Sequence, residues 1–287
     1  RPTKPSDRVK PAAGPLLFLL FVAGCPGSPE TATRSVQVRR LLEDDRYDWV
    51  TVETENTRVH FPSGSYAETR QTLLLARAEG SRRTVLEKLS ESDYPDPLHL
   101  FYVDSRGDME RLTGRPVTGY SYYDDRAIVV VFNDRWRAFE RHELTHTVTL
   151  GTWASPAGPA VVEGLATYVD GTCGGYENGR VMRTIIYRGS MLSLDELVRG
   201  FRQQDDLIAY LQAASIIDFM VYRQGPEAVG LLWDQGLQAS HALLRRSADV
   251  FQEELETWLS SRYDPVPAGA WESIRAEGCG IDARPAG

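Results

Sequence analysis

Positive charge is scarce in this sequence. Its 32 lysines and arginines are outnumbered by 40 aspartates and glutamates, so the formal net charge is −8. Because binding to a phosphate backbone needs clustered lysine and arginine, we expect no nucleic-acid partner. The sequence also lacks internal repeats and long low-complexity stretches. With 42% hydrophobic residues, its 287 residues suffice for a sizeable core, in one large domain or in a domain with a small satellite.

Long hydrophobic runs are scarce as well. The apolar run at residues 16–23 is too short to span a bilayer as a helix, but its length suits the apolar region of a secretion signal. Four basic residues precede this run within the first ten positions, and the run ends in Val22-Ala23-Gly24-Cys25. This order of segments resembles the lipobox of bacterial lipoproteins, in which two small residues precede a cysteine.

The lipobox resemblance implies cleavage before Cys25 and acylation of its thiol and new amino group. Residues 1–24 would then be a lipoprotein signal peptide, and residues 25–45 a lipidated cysteine followed by a flexible tether. We therefore expect an exported protein of the bacterial cell envelope, anchored to a membrane through its N-terminal lipid. The alternative is a buried apolar segment beside a chance cysteine.

Two cysteines follow the signal, Cys173 and Cys279. In an exported protein they could form a disulfide that closes a long loop. The spacing alone leaves two free thiols as the alternative. Cys279 lies within residues 266–287, which we interpret as a C-terminal tail that such a bridge would tether.

The predicted elements change from strands to helices along the chain. Strand patterns occupy residues 49–61, 97–103 and 127–132, the last a run typical of a strand buried on both faces. Helical patterns occupy residues 66–89, 135–150, 159–169, 206–223 and 249–262, the last of these being the final predicted helix. Asp134 is the predicted N-cap of the second helix. This order favours an α+β fold at residues 46–265, in which a small mixed β-sheet is followed by a mainly helical domain.

Two histidines spaced one helical turn apart are the main chemical signal. His142 and His146 lie at positions i and i+4 of a predicted helix, so both imidazoles lie on one face and can reach one metal ion. Glu143 follows the first histidine, and in this pattern the carboxylate lies near the metal-bound water rather than on the metal. The alternative is a helix with two solvated or core-satisfied histidines.

A hydrolytic zinc site needs a third protein ligand and an open fourth position. Glu163 is the best candidate, because it lies on the next predicted helix, which a short loop could return antiparallel to bring the carboxylate to the metal. The neighbouring Gly164 costs about 1 kcal/mol relative to alanine in a helix, but it would let two helices approach closely. A surface glutamate at a helix start is the alternative reading of Glu163.

Rival ligands fit less well. The metzincin pattern is excluded, because Thr149 and Thr152 occupy the positions of its glycine and third histidine. Asp170 offers a more distant carboxylate as an aspzincin-like ligand, but the residue order typical of the aspzincins is not met. Asp170 and Glu140 are instead candidates to accept the second N–H of a ligating histidine. Histidine and carboxylate ligands make zinc the default metal.

These residues resemble the active site of a class of metallopeptidases. The pattern consists of His142-Glu143-x-x-His146 and Glu163-Gly164-x-Ala166-x-Tyr168. It is similar to the gluzincins, and closest to the peptidase MA-like group, relatives of the aminopeptidases with thermolysin-like catalytic domains. The resemblance extends more weakly over residues 48–261. It implies a zincin-like fold with the cleft between sheet and helices, His142, His146 and Glu163 as ligands of one zinc ion, and Glu143 as the base.

The sequence also departs from this group. Many relatives have proline and tryptophan before the ligating glutamate, where this chain has Ala160-Val161-Val162. The Gly-Ala-Met-Glu-Asn segment that anchors a free amino terminus in the aminopeptidases is absent. These departures favour an endopeptidase or an unusual specificity.

We therefore expect a membrane-anchored zinc metallopeptidase that acts on a peptide or protein. Glu143 would take a proton from the attacking water and deliver it to the leaving amine. Tyr210, by its place in the resembling helical segment, is the candidate for stabilising the oxyanion, with a packing role as its alternative. Tyr120, Tyr122 and Tyr123 are further candidates. The other hypotheses are a non-catalytic binding lipoprotein on a gluzincin scaffold and a zinc amidohydrolase acting on a cell-wall amide.

Overall fold

The computed structural model describes residues 35–95 and 97–284. The predicted signal peptide, the acylated Cys25 and residues 26–34 of the tether lie outside the described residues. Within the described part of the chain, no helix is both long and apolar enough to cross a membrane. The strands are β1 (Trp49–Glu53), β2 (Thr57–Pro62), β3 (Leu98–Val103), β4 (Gly119–Tyr122), β5 (Ala127–Val131), β6 (Thr172–Cys173) and β7 (Tyr176–Glu177). The helices are α1 (Val36–Leu42), α2 (Gln71–Leu89), α3 (Arg106–Thr113), α4 (Glu140–Thr152), α5 (Pro159–Asp170), α6 (Asn178–Tyr187), α7 (Leu194–Arg199), α8 (Asp206–Gln224), α9 (Ala228–Gln235), α10 (Ser240–Leu243), α11 (Ala248–Arg262) and α12 (Ala268–Glu277).

Five strands form one mixed sheet in the order β1-β2-β3-β5-β4. The pairs β2–β3 and β3–β5 are parallel, whereas β1 and β4 at the two edges pair antiparallel with their neighbours. The central strands β3 and β5 are buried along their whole length, because their mostly apolar side chains meet packed layers on both faces. The prediction of a mixed sheet accompanied by many helices is confirmed.

The two faces of the sheet belong to different cores. Alternate residues of β3 and β5, such as Leu100 and Ile128, face a large core shared with α2, α4, α5, α8 and the helices that follow. Their neighbours in the strands, such as Phe101 and Val129, face a smaller core completed by α1 and α3. Helices α4 and α5 thus lie on the face of the large core.

The folded part extends beyond both ends of the predicted domain. The predicted flexible tether includes α1, whose Val38 and Leu41 are buried in the smaller core, so the tether prediction is wrong for residues 36–42. The predicted tail includes α12, whose Trp271 and Ile274 pack in the large core, so α11 is not the last helix. Each segment has too few apolar residues at helical spacing to be distinguished from a linker.

Helix α4 begins at Glu140, later than predicted, and Asp134 is not its N-cap. Asn133 Oδ1 accepts hydrogen bonds from the backbone N–H groups two and three residues further on, at 2.8 Å each. The backbone N–H of Arg137 donates to the carbonyl of Gly280 at 2.8 Å. These bonds hold the segment before α4 in an irregular conformation, and the partner Gly280 is too distant in sequence to be anticipated.

Candidate metal centre

Three side chains from two successive helices converge at one point. His142 and His146 lie one turn apart on α4, and Glu163 lies on α5, which packs against α4 after a short connection at residues 153–158. The two Nε2 atoms of the histidines are 3.1 Å apart, and each lies 3.4 Å from Oε2 of Glu163. The structure therefore brings together the three predicted ligands in an arrangement that could hold a metal ion.

The spacing of these three atoms fits a tetrahedral zinc ion. Ligand atoms about 2.0–2.1 Å from one ion lie about 3.3–3.4 Å from each other in tetrahedral geometry. The observed separations of 3.1 and 3.4 Å are close to this value. Two imidazole nitrogens and a carboxylate oxygen also match the donor types of catalytic zinc sites. All three residues line an open cleft, so a fourth ligand has access to them.

Local sequence explains how α5 presents Glu163. Pro159 begins the helix, where its missing N–H removes no intrahelical hydrogen bond, and Gly171 ends it with a φ of 81°. Val161 and Leu165, on either side of Glu163 along the helix, are buried in the large core. The buried face fixes the rotation of the helix about its axis, and that rotation leaves Glu163 on the cleft side.

The surroundings of Glu163 keep its carboxyl ionised. Burial alone would raise the pKa of its carboxyl, but hydrogen bonds and positive charge from His142 and His146 hold the pKa well below its usual value. The group therefore stays ionised throughout the neutral range. A permanently charged carboxylate beside two imidazole nitrogens is a suitable ligand set for a divalent metal.

Glu143 lies beside the converging ligands without being one of them. It lies in the first turn of α4, is 8% exposed and lines the cleft. Burial raises the pKa of its carboxyl to about 7; the charge of His146 lowers it, and the charges of Glu163 and Asp170 raise it. A carboxyl with a pKa near neutrality can both accept and release a proton at physiological pH.

A buried carboxylate anchors the start of α4. Glu140 accepts hydrogen bonds from Arg77 of α2 at 2.7 Å and from the hydroxyl of Tyr102 of β3 at 3.1 Å. Burial, followed by the charge of Glu140, raises the pKa of Tyr102 well above its usual value, so the hydroxyl remains a donor. These bonds fix the first turn of α4 to the sheet and to α2, and thereby orient His142.

The two carboxylates predicted to orient the ligating histidines are bonded elsewhere. Glu140 has the partners just described, and Asp170 accepts a hydrogen bond from Arg137 at 2.7 Å. Within the described part of the chain, Nδ1 of His146 is buried without a hydrogen-bond partner. Asp170 is also not part of the group of side chains that could share one metal ion.

A cleft of about 930 Å³ opens in front of the three ligands. Tyr210 of α8 lines it, with its ring parallel to that of His142 and the two ring centroids 6.4 Å apart. Burial is the main cause that raises the pKa of Tyr210 above its usual value, so the hydroxyl keeps its proton. Of the three alternative tyrosines, Tyr120 and Tyr123 line the cleft. Tyr122 packs against the smaller core, as Tyr120 also does in part.

The segment predicted as a tail forms part of the cleft wall. Cys279 lines the cleft and is joined to Cys173 by a disulfide that links positions 106 residues apart. Arg137 holds the same region together, because it donates to the carbonyl of Cys279 at 3.3 Å, to the carbonyl of Thr172 at 2.6 Å and to Asp170. Of the two states that the spacing left open, the structure has the bridged one.

The site thus combines three converging donor atoms, a buried carboxyl with a pKa of about 7 and a large cleft. No protein-family model matches the chain, and a comparison with curated proteins finds no match either. Its function therefore has to be inferred from the residues of the site and their arrangement.

Proposed function

We propose that this protein is a zinc-dependent metallopeptidase of the gluzincin type, with a zincin-like architecture and its active site in the cleft between sheet and helices. The proposal rests on one observation: the donor atoms of His142, His146 and Glu163 lie 3.1–3.4 Å apart and line the cleft. Glu143 supports a catalytic role, because its buried carboxyl beside the ligands, with a pKa of about 7, can both accept and release a proton.

In this proposal His142, His146 and Glu163 hold the metal. A zinc ion held there would supply an acidified water molecule and polarise the scissile carbonyl. Glu143 accepts the proton of the attacking water and returns it to the leaving amine, two transfers that suit a carboxyl with a pKa of about 7. Tyr210 keeps its hydroxyl proton and donates a hydrogen bond to the oxyanion that develops on the substrate.

The substrate in this proposal is a peptide or protein, cleaved within its chain. A cleft of about 930 Å³ is large enough for several residues of an extended peptide. The chain lacks the Gly-Ala-Met-Glu-Asn segment that anchors a free amino terminus in the related aminopeptidases. The segment that resembles a lipobox and ends at Cys25 supports an enzyme anchored to a membrane of the bacterial envelope. Its substrate would then lie outside the cytoplasm.

The decisive experiment combines metal content with peptide cleavage on the purified protein. Four proteins are compared: the parent, Glu163→Ala, Glu143→Gln and the control Glu253→Ala, which changes an exposed glutamate of α11. We expect about one zinc per chain in the parent, the control and Glu143→Gln, and little in Glu163→Ala. Only the parent and the control should cleave members of a peptide library.

Other outcomes would assign a different function. Zinc at full content without cleavage of any peptide would favour an amidohydrolase, to be tested on cell-wall amides. No zinc in a folded parent would reject the hydrolase and favour a binding lipoprotein on this scaffold. Equal zinc in the parent and in Glu163→Ala would show that Glu163 is not a ligand.

A further inference from the structure

The edge strand β4 lies along helix α4 in a regular alignment. Two strand residues on one face, and the residue that follows the strand, meet helix residues one turn apart in three pairs: Gly119 with Glu143, Ser121 with Thr147, and Tyr123 with Gly151. Two residues advance a strand by about 6.6–6.8 Å, and four residues advance a helix by about 6 Å. The strand can therefore stay in contact with one face of the helix over its whole length.

Gly119 leaves the space in which the side chain of Glu143 lies. A Cβ added at Gly119 would lie 2.9 Å from both Cγ and Cδ of Glu143, and closer still to Oε1. The φ of Gly119 lies outside the left-handed region that favours glycine, so its backbone conformation does not require glycine. Glycine weakens a strand, and within one it often marks a close approach by another group. The space for Glu143 is thus the reason for glycine at this position.

A chain of hydroxyl groups ties the same strand to the backbone of Glu143. The hydroxyl of Thr147 donates to the carbonyl of Glu143 at 2.9 Å. Since that donation uses the only hydroxyl proton of Thr147, the 2.8 Å bond between Ser121 and Thr147 has Ser121 as its donor. The strand therefore contacts Glu143 in two places. Gly119 packs against its side chain, and the hydroxyls of Ser121 and Thr147 link the strand to its carbonyl.

We propose that Gly119 and Ser121 are positioning residues that fix where the Glu143 carboxylate lies. This inference rests on the proposed function, in which Glu143 is the general base. Both residues line the cleft, and each acts on the chemistry through Glu143. A side chain at position 119 would push the carboxylate out of its place, and loss of the Ser121 hydroxyl would loosen the strand against the first turns of α4.

The test is a double-mutant cycle on the full chain. Gly119→Ala should lower kcat roughly 100-fold, the size of effect expected when a catalytic group is displaced by about 1 Å. KM and zinc content should stay near the parent values, because the metal ligands are untouched. In a Glu143→Ala background, Gly119→Ala should leave the residual rate unchanged and should not lower the melting temperature, because the obstructed side chain is gone.

Two further variants complete the design. Ser121→Ala should lower kcat by a smaller factor, roughly fivefold, and it provides a readout should Gly119→Ala fold poorly. Gly269→Ala on α12 is the matched control, since a Cβ there meets nothing within 4 Å, and it should leave kcat unchanged.

The inference is overturned if Gly119→Ala keeps the parent kcat, loses its zinc, or loses the same factor of activity in both backgrounds. The melting temperatures can be compared even if the protein is inactive. Destabilisation by Gly119→Ala in the parent and not in Glu143→Ala supports the steric conflict. Equal destabilisation in both backgrounds refutes it. A parent that hydrolyses nothing refutes the proposed function, while the melting temperatures still decide on the packing.

Discussion

Gly164 of α5 lies so close to Ala213 of α8 that an added Cβ would be 2.7 Å from the Ala213 Cβ and 3.0 Å from the Ala213 carbonyl carbon. This contact confirms the prediction that the glycine after Glu163 lets two helices approach. The position of α5 against α8 decides how far Glu163 reaches towards His142 and His146. The packing of two helices is thus coupled to the geometry of the candidate metal centre.

Gly164→Ala should destabilise the protein, although alanine is the better helix former. The methyl group has no space, and overpacking of a core typically costs about 1–3 kcal/mol. The shift of α5 should also weaken zinc binding, because the three ligands no longer meet at the observed spacing. Urea unfolding measures the first effect, and zinc titration against a competing chelator measures the second.

The matched control is Gly230→Ala on α9, a helical glycine at which a Cβ would meet nothing within 4 Å. It should stabilise the protein by up to about 1 kcal/mol through helix propensity alone. If Gly164→Ala also stabilised the protein and left zinc affinity unchanged, the close approach would not determine the site.

The residues of the centre that sequence could predict are those linked by short-range geometry. The spacing of His142 and His146 places both on one helix face whatever the rest of the fold does. Glu163 is predictable because a glutamate on the next helix can reach the same point when the connection is short. In the same way the β-branched run at residues 127–132 predicted the buried strand β5.

The residues that sequence could not predict act across long separations. Arg137 joins the end of α5 to the C-terminal segment, and Arg77 joins α2 to Glu140 at the start of α4. The sequence around an arginine does not show whether it is paired, because its partner lies far away in the chain. Gly119 is similar, since its contact with Glu143 arises only once β4 lies along α4.

The bridge between Cys173 and Cys279 should contribute strongly to stability. It closes a loop of 106 residues, and removal of such a crosslink typically costs about 2–5 kcal/mol. We expect the double variant Cys173→Ser/Cys279→Ser to unfold at lower urea concentration than the parent. Reductant should lower the stability of the parent against urea to that of the variant and leave the stability of the variant unchanged. Equal stability of all samples would contradict a stabilising role.

Glu79 of α2 should make stability depend on pH in the acid range. It accepts hydrogen bonds from the backbone N–H and the side chain of Asn56, at 3.1 and 2.9 Å, and from the hydroxyls of Thr54 and Thr57. Burial alone would raise the pKa of Glu79, but these hydrogen bonds lower it below the ordinary 4.5. The folded state therefore favours the carboxylate, and its contribution is complete above pH 4.5 and is lost as the pH falls through the lower folded value.

Glu79→Gln should accordingly cost about 1–3 kcal/mol at pH 7, the size expected for hydrogen bonds to a charged group. The difference from the parent should shrink as the pH falls below about 4.5. Urea unfolding at a series of pH values measures both effects. Glu87→Gln, an exposed glutamate on the same helix, is the control and should show no such difference. A difference for Glu79→Gln that stayed constant down to pH 3 would mean that charge is not involved.

Tyr210 allows a direct test of which residue donates a hydrogen bond to the developing oxyanion. Its ring is fixed between Phe201 and His142, with centroid separations of 5.4 and 6.4 Å and nearly parallel planes. Phenylalanine at position 210 keeps both ring contacts and removes only the donor. Tyr210→Phe should therefore lower kcat by about 100- to 1000-fold, the loss typical of one oxyanion donor, with zinc content and melting temperature unchanged.

The same measurement on Tyr120→Phe and Tyr123→Phe separates the candidates that share the cleft. Both tyrosines line it, but Tyr123 is 40% exposed and Tyr120 packs partly against the smaller core. Neither change should lower kcat comparably if Tyr210 is the donor. A large loss in one of them, with Tyr210→Phe near the parent, would transfer the role to that residue and leave Tyr210 as a packing residue beside His142. Because burial raises the pKa of Tyr210 above its usual value, its donor function should also survive to alkaline pH, and no loss of kcat from its ionisation should appear below pH 10.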